Sequence, residues 1–288
     1  RGALHLAIKH GVIEAEYRAR NNLGAFMLWS DPAEVLDLMR EGMDLCLRRG
    51  DVDSHAGLAA KALETAIALG EWDWALELLE TVVRSGVSSF ATDQLDAIEM
   101  VLRSMRGEFS RVDELLSIGL DASEESESPQ AKHVFHIYAA MAEATRGRFE
   151  EALRHASVGE ELVVGIERPR LAMTAFQADD DEVFNSAVRR LEEDPHPDDR
   201  TAVWIEALNA ARALRDGQAD ASERLLTAST QLRDAGMIVD AGQWLIELAV
   251  MLPVDDPQRS EVVAEAREIW THLGAKGMLD LMDRRLGA

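Results

Sequence analysis

The chain holds 288 residues, 47% of them hydrophobic, with 30 basic and 53 acidic side chains for a net charge of −23 at pH 7, and a single cysteine. An acidic balance of this size disfavours direct contact with a phosphate backbone. The lone Cys46 excludes an intramolecular disulfide, and the sequence carries neither an apolar run long enough to span a bilayer nor a secretory signal pattern.

Only 7 prolines and 2 tyrosines, with few β-branched runs, argue against sheets and for an all-α fold. Cys46 lies between Leu45 and Leu47 on an expected helix, reads as a buried inert thiol and suits a cytoplasmic location. The charge is uneven. Residues 1–50 carry seven basic and seven acidic side chains and residues 258–288 five of each, so the excess lies between 51 and 257. That middle reads as a solvated, self-repelling surface or as a docking face for a basic partner.

Arg1–His10 (RGALHLAIKH) reads as the end of a helix whose partner precedes it, and the chain is expected to be a segment of a longer polypeptide. A first helical pair runs from about Ile13 to Arg49, with Leu23-Gly24 at a tight-packing step and Asp31-Pro32 as cap and first turn of its second helix. Further pairs span about Ser54–Arg84 and Ala91–Leu120. The polar stretch Asp121–Pro129 (DASEESESP) is expected to be a mobile surface loop.

The clearest unit is Gln130–Val164. Its first half places Val134, Ile137, Tyr138, Met141, Ala142 and Thr145 at the i, i+3, i+4, i+7 spacing of an amphipathic helix. Gly147 ends that helix, and Phe149, Ala152, Leu153, Ala156, Gly159 and Leu162 start a second stripe whose small residues permit close backbone approach. A fifth pair covers about Arg168–Glu193, its aspartate run Asp179–Asp181 capping the second helix. Asp194–Asp199 (DPHPDD) is expected to bend the array. Pairs at about Arg200–Ala235 and Met237–Leu273 follow, then a short last helix, Met278–Leu286.

The inter-helix turn recurs at Gly70, Gly107, Gly147 and Gly217, at intervals of 37, 40 and 70 residues, the last being two units of 35 with its skipped turn at Asp179–Asp181. Ser30–Pro32 and Pro253–Pro257 take the turn's place at either end. In the clearest unit Tyr138-Ala139-Ala140, Gly147, Phe149, Ala152 and Gly159 resemble a tetratricopeptide repeat. The resemblance implies a right-handed superhelical solenoid of about seven hairpins, a single repeat domain over residues 1–288. The stretches ARNNLGAFMLWSDPAEVLDLMREGMDLCLRRGD and AREIWTHLGAKGMLDLMDRRL are similar to the C-terminal helical-repeat regions of large bacterial signalling proteins, namely ATPase-linked class III adenylate cyclases and large LuxR-type transcription regulators. That resemblance implies a non-enzymatic arm that binds a protein, peptide or small effector in its concave groove and restrains or releases an effector domain.

No catalytic residue, cofactor or metal site is expected. Gly274-Ala-Lys-Gly277 lacks the spacing of a phosphate-binding loop, and no nucleophile elbow, HExxH or GxGxxG occurs. Asp179–Glu182 fails the calcium-loop pattern and reads as a helix cap. His133 and His136 share a helix face without a third ligand at a fixed spacing. Groove candidates are Asn22, which coincides with the ligand-holding Asn of peptide-binding tetratricopeptide members, its neighbour Asn21, and the aromatics Trp29, Tyr138, Trp204 and Trp244. Trp72 and Trp270 are expected to pack. The rival function is a free-standing scaffold that assembles protein complexes, for which light scattering would show a stable dimer at low concentration.

Overall fold

The structure is a computed structural model that describes residues 1–27, 31–82, 87, 89–162, 168–193 and 199–287. All regular structure among these residues is helical: α1 (Gly2–His10), α2 (Ile13–Met27), α3 (Pro32–Arg49), α4 (Val52–Leu69), α5 (Trp72–Thr81), α6 (Ser89–Arg106), α7 (Phe109–Glu125), α8 (Pro129–Thr145), α9 (Phe149–Leu162), α10 (Arg168–Gln177), α11 (Asp181–Glu192), α12 (Asp199–Arg215), α13 (Ala221–Asp234), α14 (Ile238–Met251), α15 (Pro257–His272) and α16 (Lys276–Leu286). No helix among them is long and apolar enough to cross a membrane. Two compact units result, Arg1–Glu99 and Met100–Ala288, and the division falls inside α6.

Local chemistry sets the helix ends. Gly70, Gly107, Gly147 and Gly217 all take positive φ, between 78° and 81°, so the backbone reverses without a side-chain penalty. At the place where this series skips a glycine, Asp179 adopts φ 57°, and Asp180 caps α11 by accepting from the Val183 amide at 3.0 Å. Asp31 and Asp51 cap α3 and α4 in the same way, at 3.1 Å each.

In the first unit each helix from α1 to α5 packs on the next, and α2 also touches α4. Val35, Leu36, Met39, Leu58 and Leu63 fill the space between them, and Cys46 is buried as expected. The buried Arg20 side chain donates to the Leu38 carbonyl and to Glu41 at 3.0 Å, and to Glu16. These acceptors offset the cost of taking its charge out of water.

In the second unit consecutive helices from α7 to α16 pack on one another. The pairs α10/α12, α12/α14 and α14/α16 meet as well, and α16 returns to α8. Small residues set the closest approach: a Cβ at Gly159 of α9 would lie 2.7 Å from the Ile137 Cδ1 of α8, and one at Gly242 of α14 would lie 2.5 Å from the Trp270 ring of α15.

One expectation is corrected. The stretch 121–129 is not a loop throughout: α7 continues to Glu125, and α8 begins at Pro129. Ser123 is buried, and the short junction is closed by side chains, with Ser126 Oγ accepting from the Ser128 amide at 3.1 Å and Ser128 Oγ from the Ala131 amide at 3.3 Å. Composition alone missed this because the acidic residues sit on the solvent side of a helix. Of the expected bend at 194–199, residues 194–198 lie outside the described residues.

Candidate ligand cleft

Four helices of the second unit, α8, α9, α10 and α14, line a small cleft with a cavity volume of about 30 Å³, partly open to solvent. Its apolar wall comes from α8, where Ile137, Ala140, Met141 and Ala144 recur every three or four residues on one face. α10 contributes Arg170, Leu171, Thr174 and Gln177, and α14 contributes Gln243. A second, smaller pocket of about 10 Å³ shares Ala144, Gln177 and Gln243 and adds Glu247 of α14 with Met278 and Leu281 of α16.

Polar rungs join α10 to α14. Arg170 pairs with Asp240 at 3.4 Å, and Gln177 Nε2 donates to Glu247 Oε1 at 2.8 Å. Residues 170 and 177, like 240 and 247, are seven apart, two helical turns. Both rungs therefore use one face of each helix, and the two helices run in the same direction. Glu247 is nearly inaccessible and is further held by Arg285 of α16. Thr174 Oγ1 donates to the Arg170 carbonyl at 2.9 Å. Gln243 is half-buried between the two pockets, with a carboxamide that both donates and accepts.

Behind the rungs lies an aromatic layer. Phe176 stands 6.3 Å from Trp244 and 5.8 Å from Phe184, and Trp204 meets Trp244 edge-on at 5.9 Å. Arg215 covers Phe176 at 3.7 Å and donates to its carbonyl at 2.6 Å.

Of the groove candidates read from the sequence, Asn21 and Asn22 belong to the first unit and Tyr138, Trp204 and Trp244 to the second. Trp204 is 5% exposed and Trp244 0%, so both indoles belong to the core and present no face to solvent. Tyr138 is half-buried against a core of Met100, Val112, Leu115, Leu116 and Phe135. Asn21 is half-buried and Asn22 exposed, both on α2 of the first unit. Trp29 lies outside the described residues. Trp72 and Trp270 are buried as expected, with Trp72 Nε1 donating to the Ile67 carbonyl at 3.0 Å. The cleft residues that sequence reading missed are Arg170, Gln177, Gln243 and Glu247; the available signal was the seven-residue recurrence of polar groups on two otherwise apolar first helices.

A histidine pair lies between α8 and α9. His136 Nδ1 and His155 Nδ1 are 2.9 Å apart, so one must carry the proton and the other accept it. Burial pushes both below the usual imidazole range, His136 to about 4 with His155 and Lys132 adding to the effect, and His155 with help from Arg154. His133 is separately engaged, 2.8 Å from the Gly159 carbonyl. Glu143, buried on α8, is raised by burial against the opposing pull of Arg146 and Arg148. Among the described residues no group of three or more His, Cys, Asp or Glu is placed to hold a metal ion.

No family model, no curated protein and no solved structure matches this chain.

Proposed function

We propose that the chain is a right-handed superhelical solenoid of about seven tetratricopeptide-like hairpins. It acts as the non-enzymatic interaction and sensing region of a larger bacterial regulator, and it takes a polypeptide segment in the cleft of α8, α10 and α14. The architecture is supported by left-handed turns recurring at Gly107, Gly147, Asp179 and Gly217, by helices that pack on their chain neighbours, and by next-neighbour contacts at α2/α4, α10/α12, α12/α14 and α14/α16.

The observation that carries the ligand class is the pair of carboxamides, Gln177 and Gln243, beside an apolar α8 wall and under Arg170. A carboxamide matches the donor and acceptor of a peptide unit, the alanines and methionine accept apolar side chains, and Arg170 suits a carboxylate. Binding would favour one curvature of the array and so bias an attached effector.

Selection of peptides from a random display library on the purified chain tests this reading. Selected peptides are expected to lose at least about tenfold in affinity with Gln243→Ala and with Arg170→Glu, the magnitude of one or two hydrogen bonds. Peptides insensitive to both substitutions would contradict it, as would a library that yields no binder.

A further inference from the structure

The last helix makes contacts that its place in the chain does not require. Most contacts of the second unit's helices are with the one or two before them, α14 also reaching α10 through its polar rungs, and α16 leans on α15 and α14. It also reaches back to α8 and to the turn between α6 and α7. Arg284 donates to the Arg146 carbonyl at 3.1 Å, across 138 residues. A Cβ at Gly277 would overlap the Ser104 carbonyl and lie 3.1 Å from the Gly107 amide. A Cβ at Gly147 would meet Leu281 Cδ1 at 3.2 Å. Two successive inter-helix turns, Gly107 and Gly147, thus form bare backbone seats for one short helix.

The seat has a defined chemistry. Gly277, Met278, Leu281 and Met282 are the buried residues of α16. Arg285 pairs with Glu247 and lies over the Phe149 ring at 5.2 Å. The Glu247 side chain is only 2% exposed, and an occupant without a cation would leave a buried carboxylate without its charge partner. α16 itself has 11 residues, and Ala275 at its N-cap makes no side-chain capping hydrogen bond. A helix of that length does not hold together alone.

We propose that α16 is a tethered occupant of a helix-docking seat, and that this seat receives a partner helix of the same pattern. The pattern is a glycine, apolar residues one, four and five positions later, and arginines seven and eight positions later. Met278 and Leu281 also wall the smaller pocket beside Gln177 and Gln243, so departure of α16 opens that end of the cleft. The proposal rests on the cleft reading only for what is opened; the seat stands on its own contacts.

The test uses a labelled synthetic peptide covering residues 275–287, titrated into the full chain. In the Arg285→Glu variant the tethered helix opposes Glu247 while the added peptide still carries Arg285, and affinity is expected to rise at least tenfold over the unsubstituted chain. The charge exchange E247R/R285E is expected to remove that gain. Equal affinity in all three chains would overturn the proposal. Hydrogen exchange on the unsubstituted chain decides independently of any folding defect: amides of 276–286 are expected to exchange before those of 238–251. Exchange of both segments in one common opening would also overturn it. The peptide titration and the display selection use different probes, so failure of one leaves the other's result standing.

Discussion

At the residue scale, Asp179 shows how a left-handed inter-helix turn forms without glycine. It is the one non-glycine residue in the left-handed region among the described residues, at φ 57°, and it stands where the glycine series skips. Asp tolerates that conformation better than most side chains but at some cost. Its ion pair with Arg215 is 83% exposed on the Asp side and adds little. Asp179→Gly is therefore expected to leave the unfolding free energy unchanged or to raise it by no more than about 1 kcal/mol, read from the denaturant midpoint. Gly147→Ala should do the reverse and cost about 1 kcal/mol or more, because φ is 78° and the new Cβ would meet Leu281. The groove candidates divide by burial. Trp244→Ala is expected to cost about 3–5 kcal/mol in denaturant unfolding, as a fully buried indole does, whereas Asn22→Ala on an exposed position should stay within about 0.5 kcal/mol.

At the scale of elements, α8 and α9 show what periodicity can and cannot reveal. The turn at Gly147, the small residues of α9 and the extents of both helices follow from neighbours a few positions apart, and were legible. The single stripe read on α8 was too narrow. Phe135, Ala139 and Ala140 are buried although outside it, and Tyr138 and Met141 inside it are only half-buried. The cause is that α8 is walled by α7, α9 and α16 together, and no local pattern reports a neighbour more than a hundred residues away. The histidine pair at this seam makes a pH prediction. Both imidazoles titrate lower in the folded chain than in the unfolded one, so the unfolded state binds protons first. The stability of the α8–α9 seam is fully present above about pH 6.5 and declines as pH falls toward about 4. Replacing both His136 and His155 with Gln should flatten the fall in melting temperature over that window; an unchanged slope would assign the acid sensitivity elsewhere.

At the scale of the whole molecule, the all-helical class was fixed by composition and period, while the cleft was not. Its polar rungs lie on α10 and α14, with α12 between them in sequence, and only the folded second unit brings residues 177 and 247 within hydrogen-bond distance. Aromatic residues drew attention in the sequence because they are large, and for the same reason Trp204 and Trp244 went to the core. The polar side chains that line the cleft are the medium-sized ones, Arg170, Thr174, Gln177 and Gln243. The most direct measurement is a methyl NMR titration of the chain, labelled at its 11 methionines, with a peptide taken from the display selection. Met141 and Met173 line the cleft, and their methyl signals are expected to shift with saturation while those of Met39 and Met43, buried in the first unit, stay in place. Shifts confined to the first unit's methionines, or none at saturating peptide, would contradict the account.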